Sequence, residues 1–431
     1  MNLNKKTIAD VDVKDKRVLM RVDFNVPQDK SSGAITNVQR IVGAMPTIQK
    51  ALDNGAKAVI LMSHLGRPDG KPNAKMTLKP VADKLGELMN KPVTFLPDCV
   101  GPEVEAACAN PAHGSIILLE NLRWHVEEEG KGIEHSASCN GKKCSDDCKP
   151  FKATPEEVTK FRESLSKLGD VYVNDAFGTA HRAHSSMVGM KGKMPCVSGL
   201  LVAKELEAFS SVLNPDKVKR PLLAIVGGAK ISDKIMVIEN LIDQSDGIIL
   251  CGGMAYTFMK VCFGMSIGKS LYDQKGAELA PKLMEKAKTK GIEIVLPCDW
   301  ACGQEFKNDQ EIKFVTKEEG IPDGWEGMDC GPESMKLFRD KILSSKTVVW
   351  NGPAGVFEFD NFSKGTKALL DAVAETTAAG NNGIIGGGDS ATAAAKFNME
   401  DQVSFVSTGG GASLELLEGK ILPGIEALDD N

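Results

Sequence analysis

The chain has 431 residues, of which 42% are hydrophobic and 26% charged, with 43 glycines and 20 prolines. This composition excludes the disordered, collagen-like and coiled-coil classes, and the length predicts a globular protein of two or three domains. The 52 basic and 58 acidic residues give a formal net charge of −6. No overall positive field is therefore available to bind a nucleic acid or an anionic membrane surface.

The sequence indicates neither a membrane span nor a secretion signal. The longest purely apolar runs, such as 116–119, are far shorter than the ~18–20 residues that a spanning helix needs, and no apolar segment follows the N-terminal residues. The 11 cysteines are an odd number and lie mostly in apolar contexts, which favours buried thiols over a disulfide framework. We therefore expect a cytoplasmic protein.

Short runs rich in valine, isoleucine and leucine alternate with helical patterns along the whole chain, which is typical of parallel sheets covered by helices. In the first half the predicted strands are 18–26, 58–63, 93–96, 115–119 and 171–174. In the second half they are 222–226, 247–251, 292–296, 347–350, 383–385 and 403–406. The sequence therefore predicts an α/β fold with two doubly wound halves.

Three segments between the strands have a distinct character. Thr154 and Glu157 form a capping pattern at the start of a helix that Gly169 should end. Residues 199–213 have helical periodicity and are the best candidate for a helix that joins the two halves. Residues 126–153 are polar and lack periodicity, so we interpret them as a long surface loop.

Cationic and hydrogen-bonding side chains follow several strands of the first half. Ligands of open α/β sheets bind beyond the carboxyl ends of the strands, and arginine in particular suits carboxylate and phosphate. A single such residue would more often be a solvated loop residue, but recurrence after four strands favours a shared site for a small polyanion. The candidates are Arg21, Asp23, Asn25, Arg40, His64, Arg67, Arg123, His181, Arg182 and His184.

Glycines follow nearly every strand of the second half. Because glycine lacks a Cβ atom, backbone N–H groups can approach a phosphate or a flat base, and a following helix adds its positive end. An isolated glycine pair more often makes only a tight turn, but five recurrences favour a nucleotide cleft. The candidates are Gly227, Gly228, Gly252, Asn351, Gly387, Gly388 and Ser390. Asp389, beside the last glycines, is a candidate ligand of Mg²⁺, which usually binds one or two carboxylates plus phosphates.

Lys230 and Lys234 follow the first glycine pair and lie four residues apart. At the start of a helix they would share one face, and a pair of cations suits a phosphate group in transit. The segment 264–270, GMSIGKS, has the appearance of a P-loop but is one residue too short. We therefore place the nucleotide phosphates at the glycine pairs and not at this segment.

Eight segments make the sequence similar to the 3-phosphoglycerate kinase family over nearly the whole chain. In chain order they are RVDFNVP, SHLGRP, ENLRWH, NDAFGTAHRAHSS, GGAKISDK, WNGPAGVFE, GGGDSAT and STGGGASLELLEGK. The resemblance implies reversible phosphoryl transfer between 1,3-bisphosphoglycerate and ADP, giving 3-phosphoglycerate and MgATP. It also implies two Rossmann-like domains joined by a hinge helix, with divisions at 1–198, 199–213, 214–408 and a C-terminal segment, 409–431, that returns to the first domain.

The resemblance also assigns roles to the candidate residues. It implies that the glycerate and its phosphate are held by Asp23, Asn25, Arg40, His64, Arg67, Arg123 and Arg182, with Arg21, His181 and His184 in the same basic patch. It implies that the nucleotide is bound by Lys230, Lys234, Gly327, Glu358, Gly387, Gly388 and Ser390, with Asp389 on Mg²⁺. We expect Arg40 and Lys234 to stabilise the charge on the transferring group in a monomeric enzyme.

Two departures from the family pattern leave room for other interpretations. Ser390 stands where the family commonly has threonine, a change that keeps the hydroxyl group. The loop after Glu129 is longer than usual and carries four possible zinc ligands, although their spacing is not a standard one: His135, Cys139, Cys144 and Cys148. We favour a surface loop there. The alternative function that the residues leave open is a non-catalytic protein that binds anions and nucleotides.

Overall fold

The computed structural model describes residues 2–136 and 147–431, and the chain divides into two compact units. The first unit comprises Asn2–Leu206 and Ile421–Asn431, and the second comprises Glu207–Lys420. The division falls inside the segment 199–213 that the sequence predicts to join the halves. Within the described ranges, no helix is both long and apolar enough to cross a membrane.

The first unit contains eight strands among its described residues. They are β1 (Arg17–Val22), β2 (Ala58–Met62), β3 (Val93–Phe95), β4 (Ser115–Leu118), β5 (Lys131–Glu134), β6 (Lys149–Lys152), β7 (Val171–Asp175) and β8 (Cys196–Ser198). Six of them form a parallel sheet in the order β3-β4-β2-β1-β7-β8. Its helices are α1 (Gln39–Asp53), α2 (Lys79–Met89), α3 (Pro102–Ala109), α4 (Val126–Glu129), α5 (Pro155–Ser166) and α6 (Ser185–Val188), and α7 (Leu200–Leu213) spans the division between the two units.

The second unit has a six-stranded parallel sheet and a smaller antiparallel sheet. Its strands are β9 (Leu222–Val226), β10 (Gly247–Leu250), β11 (Glu293–Val295), β12 (Asp299–Gly303), β13 (Lys313–Thr316), β14 (Glu326–Cys330), β15 (Thr347–Asn351), β16 (Asn382–Ile385) and β17 (Phe405–Val406). The parallel order is β11-β10-β9-β15-β16-β17, and β13-β12-β14 form the antiparallel sheet.

The remaining helices complete the chain. They are α8 (Ile235–Gln244), α9 (Met254–Phe263), α10 (Gln274–Lys290), α11 (Pro332–Leu343), α12 (Lys364–Ala378), α13 (Gly388–Lys396), α14 (Gly411–Leu417) and α15 (Pro423–Glu426). The sequence predicts a return to the first unit from residue 409, whereas that unit resumes at Ile421. Helix α14 precedes Ile421 and belongs to the second unit. It is held there by α8, because Asn240 Nδ2 donates a hydrogen bond to the Leu417 carbonyl (2.7 Å).

The predicted α/β class with two doubly wound parallel sheets is confirmed. Parallel strands are buried on both faces, and β2 and β9 are continuous apolar runs for this reason. In each parallel sheet the chain adds strands first on one side of its first strand and then on the other. The change of side falls between β1 and β7 in the first unit and between β9 and β15 in the second. The carboxyl ends at these changes of side are where ligands bind in such folds.

The predicted first strand, 18–26, is too long. It ends at Val22 because the next residues leave the sheet and bond to nearby side chains. Phe24 N donates to Ser63 Oγ (2.8 Å), and Asn25 N donates to Asp23 Oδ1 (3.1 Å). Asp23 and Asn25 therefore lie in a loop beyond the sheet, where they can face a ligand.

The interpretation of 126–153 as a surface loop is wrong for part of the segment. Helix α4 begins it, and β5 and β6 form an antiparallel hairpin in which Lys131 is opposite Lys152. Gly132 lies so close to the Phe151 ring and the Asp69 carbonyl that a Cβ atom would collide with both. Two four-residue strands with few apolar residues leave no periodic pattern in the sequence by which they could be predicted. Their position depends on the contact between Gly132 and the loop that contains Asp69.

The possible zinc ligands of this segment are described only in part. Cys139 and Cys144 lie outside the described residues. His135 forms a hydrogen bond through Nε2 to Asp69 Oδ2 (2.8 Å), and its Nδ1 lies 3.8 Å from Cys148 Sγ. The described contacts thus attach the residue after β5 to Asp69.

The antiparallel sheet β13-β12-β14 is absent from the predicted strands. Its strands have four or five residues and mix apolar side chains with charged and polar ones, so neither a buried run nor a clean alternation identifies them. Trp300 of β12 packs with Tyr256 and Met259 of α9 in a small buried cluster. β14 pairs with β12, and its Gly327 lies against the Tyr256 ring of α9.

The capping pattern at Thr154 is confirmed, although Gly169 has another role than the predicted one. Thr154 Oγ1 accepts a hydrogen bond from Glu157 N (3.3 Å), and the Glu157 carboxylate accepts from Thr154 N (2.7 Å). Helix α5 ends at Ser166, before Gly169. A Cβ atom at Gly169 would lie 2.6 Å from Leu19 Cβ, so this glycine allows close packing against β1.

Replacing Thr154 by alanine should lower the free energy of unfolding by about 1 kcal/mol, because it removes the hydroxyl that caps α5. Thr159→Ala is the matched control on the same helix, since the Thr159 hydroxyl only bonds back to the Pro155 carbonyl and alanine favours helices. Denaturant unfolding of both variants tests this prediction. Equal destabilisation of the two variants would contradict a specific capping role.

Candidate functional site

The loops after β1, β2 and β4 are tied together by hydrogen bonds to the backbone of one residue, Gly66. Asn25 Oδ1 accepts from Gly66 N (2.8 Å), and Arg123 Nη1 donates to the Gly66 carbonyl (3.0 Å). Gly66 has a φ of +65°, and a Cβ atom there would lie 2.8 Å from Met76 Sδ. A glycine at this position therefore lets residues from three strand ends converge.

Arg40 is presented on the open side of this cluster. It is the second residue of α1, its side chain is 45% exposed, and its guanidinium pairs with the Asp23 carboxylate. The neighbouring cavity has a volume of about 490 Å³ and is lined by Asn25, Val26, Pro27, Asn37, Gln39 and Arg40. The Arg40 guanidinium can thus reach both a carboxylate of the chain and a ligand in the cavity.

Arg123 and His184 share a partly buried carboxylate, that of Glu129. Glu129 Oε1 lies 3.5 Å from Arg123 Nε and 3.7 Å from His184 Nε2. Burial lowers the pKa of Arg123 and raises that of Glu129, while the attraction between the two opposes both effects. Burial, together with the charges of neighbouring cations, lowers the pKa of His184 to about 3. His184 is therefore neutral near pH 7, and its contact with Glu129 is not an ion pair there.

The other predicted anion ligands lie in the same electrostatic neighbourhood. The charge of Arg67 lowers the pKa of Arg123, and the charges of Arg182 and His181 lower that of His184. Arg67 and Arg182 are exposed. Glu129 is not among the predicted site residues, although it ends a run of three glutamates directly after the ENLRWHV segment.

Arg21 differs from the other cations because it lies inside β1 and not beyond its end. It is fully buried and pairs in the sheet with Met62 and Asn174. Its guanidinium donates to Ser186 Oγ (2.9 Å), to His64 Nδ1 (3.1 Å) and to the Val22 carbonyl. Arg21 is thus the last but one residue of β1, within the sheet and not in the loop beyond it, and its contacts lead to His64.

In the second unit, the loops after β9 and β15 touch backbone to backbone. Gly227 N donates to the Asn351 carbonyl (2.9 Å). A Cβ atom at Gly227 would collide with the Gly352 and Pro353 carbonyls, and one at Gly352 would collide with the Gly227 carbonyl. Glycine is required here by close approach, as well as by the φ of +101° at Gly352.

Lys234 is held between these two loops. Its Nζ donates to the Gly227 carbonyl (2.7 Å), to Asn351 Oδ1 (2.6 Å) and to the Asn351 carbonyl (3.2 Å). Asn351 Nδ2 in turn donates to the Gly386 carbonyl (3.0 Å). Burial lowers the pKa of Lys234 to about 8, so the protein holds a cation here that is close to losing its proton.

The predicted common helical face of Lys230 and Lys234 is wrong. Helix α8 begins only at Ile235, and Lys234 is its N-cap residue. The preceding residues form a turn in which Ser232 N donates to Asp273 Oδ2 (2.8 Å). Lys230 is consequently an exposed loop residue, whereas Lys234 is partly buried.

Helix α13 starts at the end of β16 with its first backbone N–H groups pointing out of the sheet edge. Its N-cap, Gly387, has a φ of +96°, and Gly388 and Asp389 in the first turn are exposed. Ser390 is fully buried, and its Oγ accepts from Gly352 N (2.6 Å). The predicted Ser390 hydroxyl thus supports the loop after β15. The exposed Asp389 carboxylate fits a hard cation that binds oxygen ligands.

Three further predicted residues surround this edge of the second unit. A Cβ atom at Gly252 would lie 2.7 Å from Gly228 N, which places the loops after β9 and β10 side by side. Gly327 lies flat against the Tyr256 ring, and its N donates to Ser270 Oγ (2.9 Å). Glu358 is exposed after β15, and its carbonyl accepts from Lys396 Nζ (3.3 Å).

Comparisons with known proteins agree over nearly the whole chain. The phosphoglycerate kinase family model matches residues 8–420. The chain is 59% identical to a probable phosphoglycerate kinase of Caenorhabditis elegans over 99% of both chains. It is also 59% identical to a phosphoglycerate kinase of Hypocrea rufa, over 99% of this chain and 98% of that protein. The solved structure of phosphoglycerate kinase from Coxiella burnetii matches with a TM-score of 0.82 at 38% identity, covering 98% of each chain. The chain belongs to the phosphoglycerate kinase family.

Proposed function

We propose that this chain is a glycolytic kinase that transfers a phosphoryl group reversibly between 1,3-bisphosphoglycerate and ADP, giving 3-phosphoglycerate and MgATP. The full-length match to the family carries this proposal, and nothing favours the non-catalytic alternative. A coupled assay of ADP release from 3-phosphoglycerate and MgATP tests it. Saturable binding of both ligands without turnover would instead favour the non-catalytic protein.

The first unit is the proposed binding site for the phosphoglycerate. Planar guanidinium groups bind carboxylate and phosphate in bidentate fashion, and Arg40, Arg67, Arg123 and Arg182 supply them. Asn25 and His64 add neutral hydrogen-bonding groups. The Asp23 carboxylate is an acceptor suited to a ligand hydroxyl.

The second unit is the proposed nucleotide site. Backbone N–H groups at the start of α13 and at the loops after β9 and β10 suit the phosphates and the base. Lys230 and Lys234 suit the phosphate charge. We propose that Asp389 holds Mg²⁺, which when bound would neutralise charge on the nucleotide phosphates.

Phosphoryl transfer depends on positioning and on charge neutralisation more than on a nucleophilic side chain. The attacking oxygen belongs to a ligand phosphate or carboxylate, so no general base is required. We propose that Arg40 and Lys234 stabilise the charge on the transferring group. Direct transfer requires the two bound ligands to meet, and we propose that closure accompanies catalysis and expels water.

The expected setting is a monomer in the cytoplasm. Cys99, Cys251 and Cys330 are buried thiols, and burial raises the pKa of each, which suits a reducing compartment. Size-exclusion chromatography with light scattering tests the monomer proposal directly.

Arg40→Ala should lower kcat by about 10³–10⁵, the range for an arginine that acts in the transition state. The affinity for 3-phosphoglycerate should fall much less, because three other arginines also bind this ligand and the part of the Arg40 interaction that forms only in the transition state does not contribute to ground-state binding. Arg40→Lys should restore only part of the rate. Steady-state kinetics and calorimetry on both variants, with Lys50→Ala at the other end of α1 as control, measure this. An increased KM with unchanged kcat would reduce Arg40 to a binding residue.

Asp389→Ala should weaken MgATP binding far more than 3-phosphoglycerate binding, because it removes the proposed carboxylate ligand of the metal. Asp371→Ala is the control, since Asp371 pairs with Lys367 on the exposed face of α12. Calorimetry with each ligand at several magnesium concentrations separates the effects. Equal losses for the two ligands would show that Asp389 has a structural role.

The kcat/KM for MgATP should fall as the pH rises above about 8, by up to tenfold per pH unit. The pKa of Lys234 is lowered to about 8 in the folded protein, so the cation that attracts phosphate is present below this pH and is lost above it. Lys234→Arg should remove the fall, because arginine stays charged. A wild-type profile that stays level to pH 9.5 would contradict this prediction.

A further inference from the structure

A chain of buried hydrogen bonds connects Glu128 to His64 through Ser186 and Arg21. Glu128 Oε1 accepts from Ser186 Oγ (2.6 Å), and Glu128 Oε2 accepts from Ser186 N (2.9 Å). Ser186 Oγ accepts from Arg21 Nε (2.9 Å), and Arg21 Nη2 lies 3.1 Å from His64 Nδ1. Arg21 and Ser186 are fully buried, and Glu128 and His64 are 1% and 4% exposed.

The chemistry of the groups fixes the direction of every bond in this chain. An ionised carboxylate only accepts and a guanidinium only donates. Ser186 therefore gives its single hydroxyl proton to Glu128 and receives the bond from Arg21. For the same reason, the bond between Arg21 and His64 can form only if His64 Nδ1 accepts.

A neutral imidazole whose Nδ1 accepts carries its proton on Nε2. We propose that Arg21 is a positioning residue that, oriented by Ser186 and Glu128, holds His64 as the neutral tautomer with Nε2–H as donor to an oxygen of the phosphoglycerate. The last clause rests on the proposed function, in which His64 contacts that ligand. Arg21 itself acts through His64 and does not need to touch the ligand.

The electrostatic surroundings of His64 agree with a neutral ring. Burial lowers its pKa well below the usual value, and the positive charges of Arg21, Arg123 and Arg40 lower it further, with a contribution from His184. These groups come from β1, from the turn after β4, from α1 and from the residue before α6. The carboxylate at the end of this hydrogen-bond network, that of Glu128, contacts Ser186 and not the His64 ring. It therefore does not favour the protonated form of His64.

If Arg21 and Glu128 only formed a buried structural pair, the hydrogen bond from Arg21 Nη2 to His64 would have no role. Ser186 already connects the two charges, and the Val22 carbonyl uses Nη1. Nη2 is directed at His64, on the side of the loop after β2. The hydrogen bond from Nη2 is therefore the contact through which the network fixes one tautomer of His64.

The tautomer can be observed directly in the full-length enzyme without ligand. The chain has 6 histidines, so protein labelled with ¹⁵N in the imidazole rings gives few signals, and His64→Gln assigns the one of interest. We expect the His64 signal of the Nε2–H tautomer from pH 5.5 to pH 8. In Ser186→Ala the two nitrogen shifts should approach each other as the tautomers mix, while the ring stays neutral because its burial and the nearby positive charges remain.

The functional consequence can be separated from a general loss of structure by a double-mutant cycle. Ser186→Ala should raise the KM for 3-phosphoglycerate by roughly 3–10-fold, the value of one hydrogen bond, with a smaller change in kcat. In a His64→Gln background, Ser186→Ala should change this KM less than about twofold, because a glutamine amide has no tautomers to fix. Ser185→Ala is the control, since the Ser185 hydroxyl contacts Arg162 and the Glu127 carbonyl instead.

The outcomes distinguish this inference from the proposed function. A protonated Nδ1 on His64 near pH 7 in the wild type, or additive KM effects in the cycle, would overturn the inference. If His64→Gln leaves the KM for 3-phosphoglycerate unchanged, the proposed ligand contact fails, while the tautomer measurement still tests the network. Melting temperatures of all variants show whether a changed KM reflects loss of folded protein.

Discussion

The constraint on which the first unit depends is the need to hold several positive charges close together inside an acidic chain. Burial makes a charged group less stable, as the lowered pKa of Arg123 shows. The fold compensates with carboxylates placed between the cations, Asp23 for Arg40 and Glu129 for Arg123. A ligand polyanion at the proposed site would complete this balance, because its negative charge would stabilise the same cations.

The second unit meets the same requirement with the backbone. Glycines at Gly227 and Gly352 allow two loops to touch, and the carbonyl groups brought together there hold Lys234. Positive charge is thus concentrated in one lysine and in the N–H groups that begin α13. Few side chains are needed, so this site depends on close backbone packing, whereas the first depends on side-chain networks.

Much of the fold and of the site was predictable from the sequence because strands buried on both faces leave continuous apolar runs, and the residues after them mark the ligand edge. The features that were missed depend on partners distant in sequence. Ser186 and Glu128 are 58 residues apart, and Ser390 bonds Gly352 across 38 residues. Arg21 could not be placed from its motif alone, since an arginine in an apolar strand is compatible with either a strand end or a buried pair.

The buried position of Arg21 has a consequence for how precisely the site is set. A side chain on a loop can move with its ligand, but a guanidinium fixed by Ser186, Val22 and the β1 backbone cannot turn without breaking several bonds. Reorganisation of polar groups on ligand binding is therefore small on this side of the site, which favours both affinity and rate. Arg40 is half-exposed and is held by a single carboxylate, so it is freer to move, in keeping with its proposed role at the transferring group.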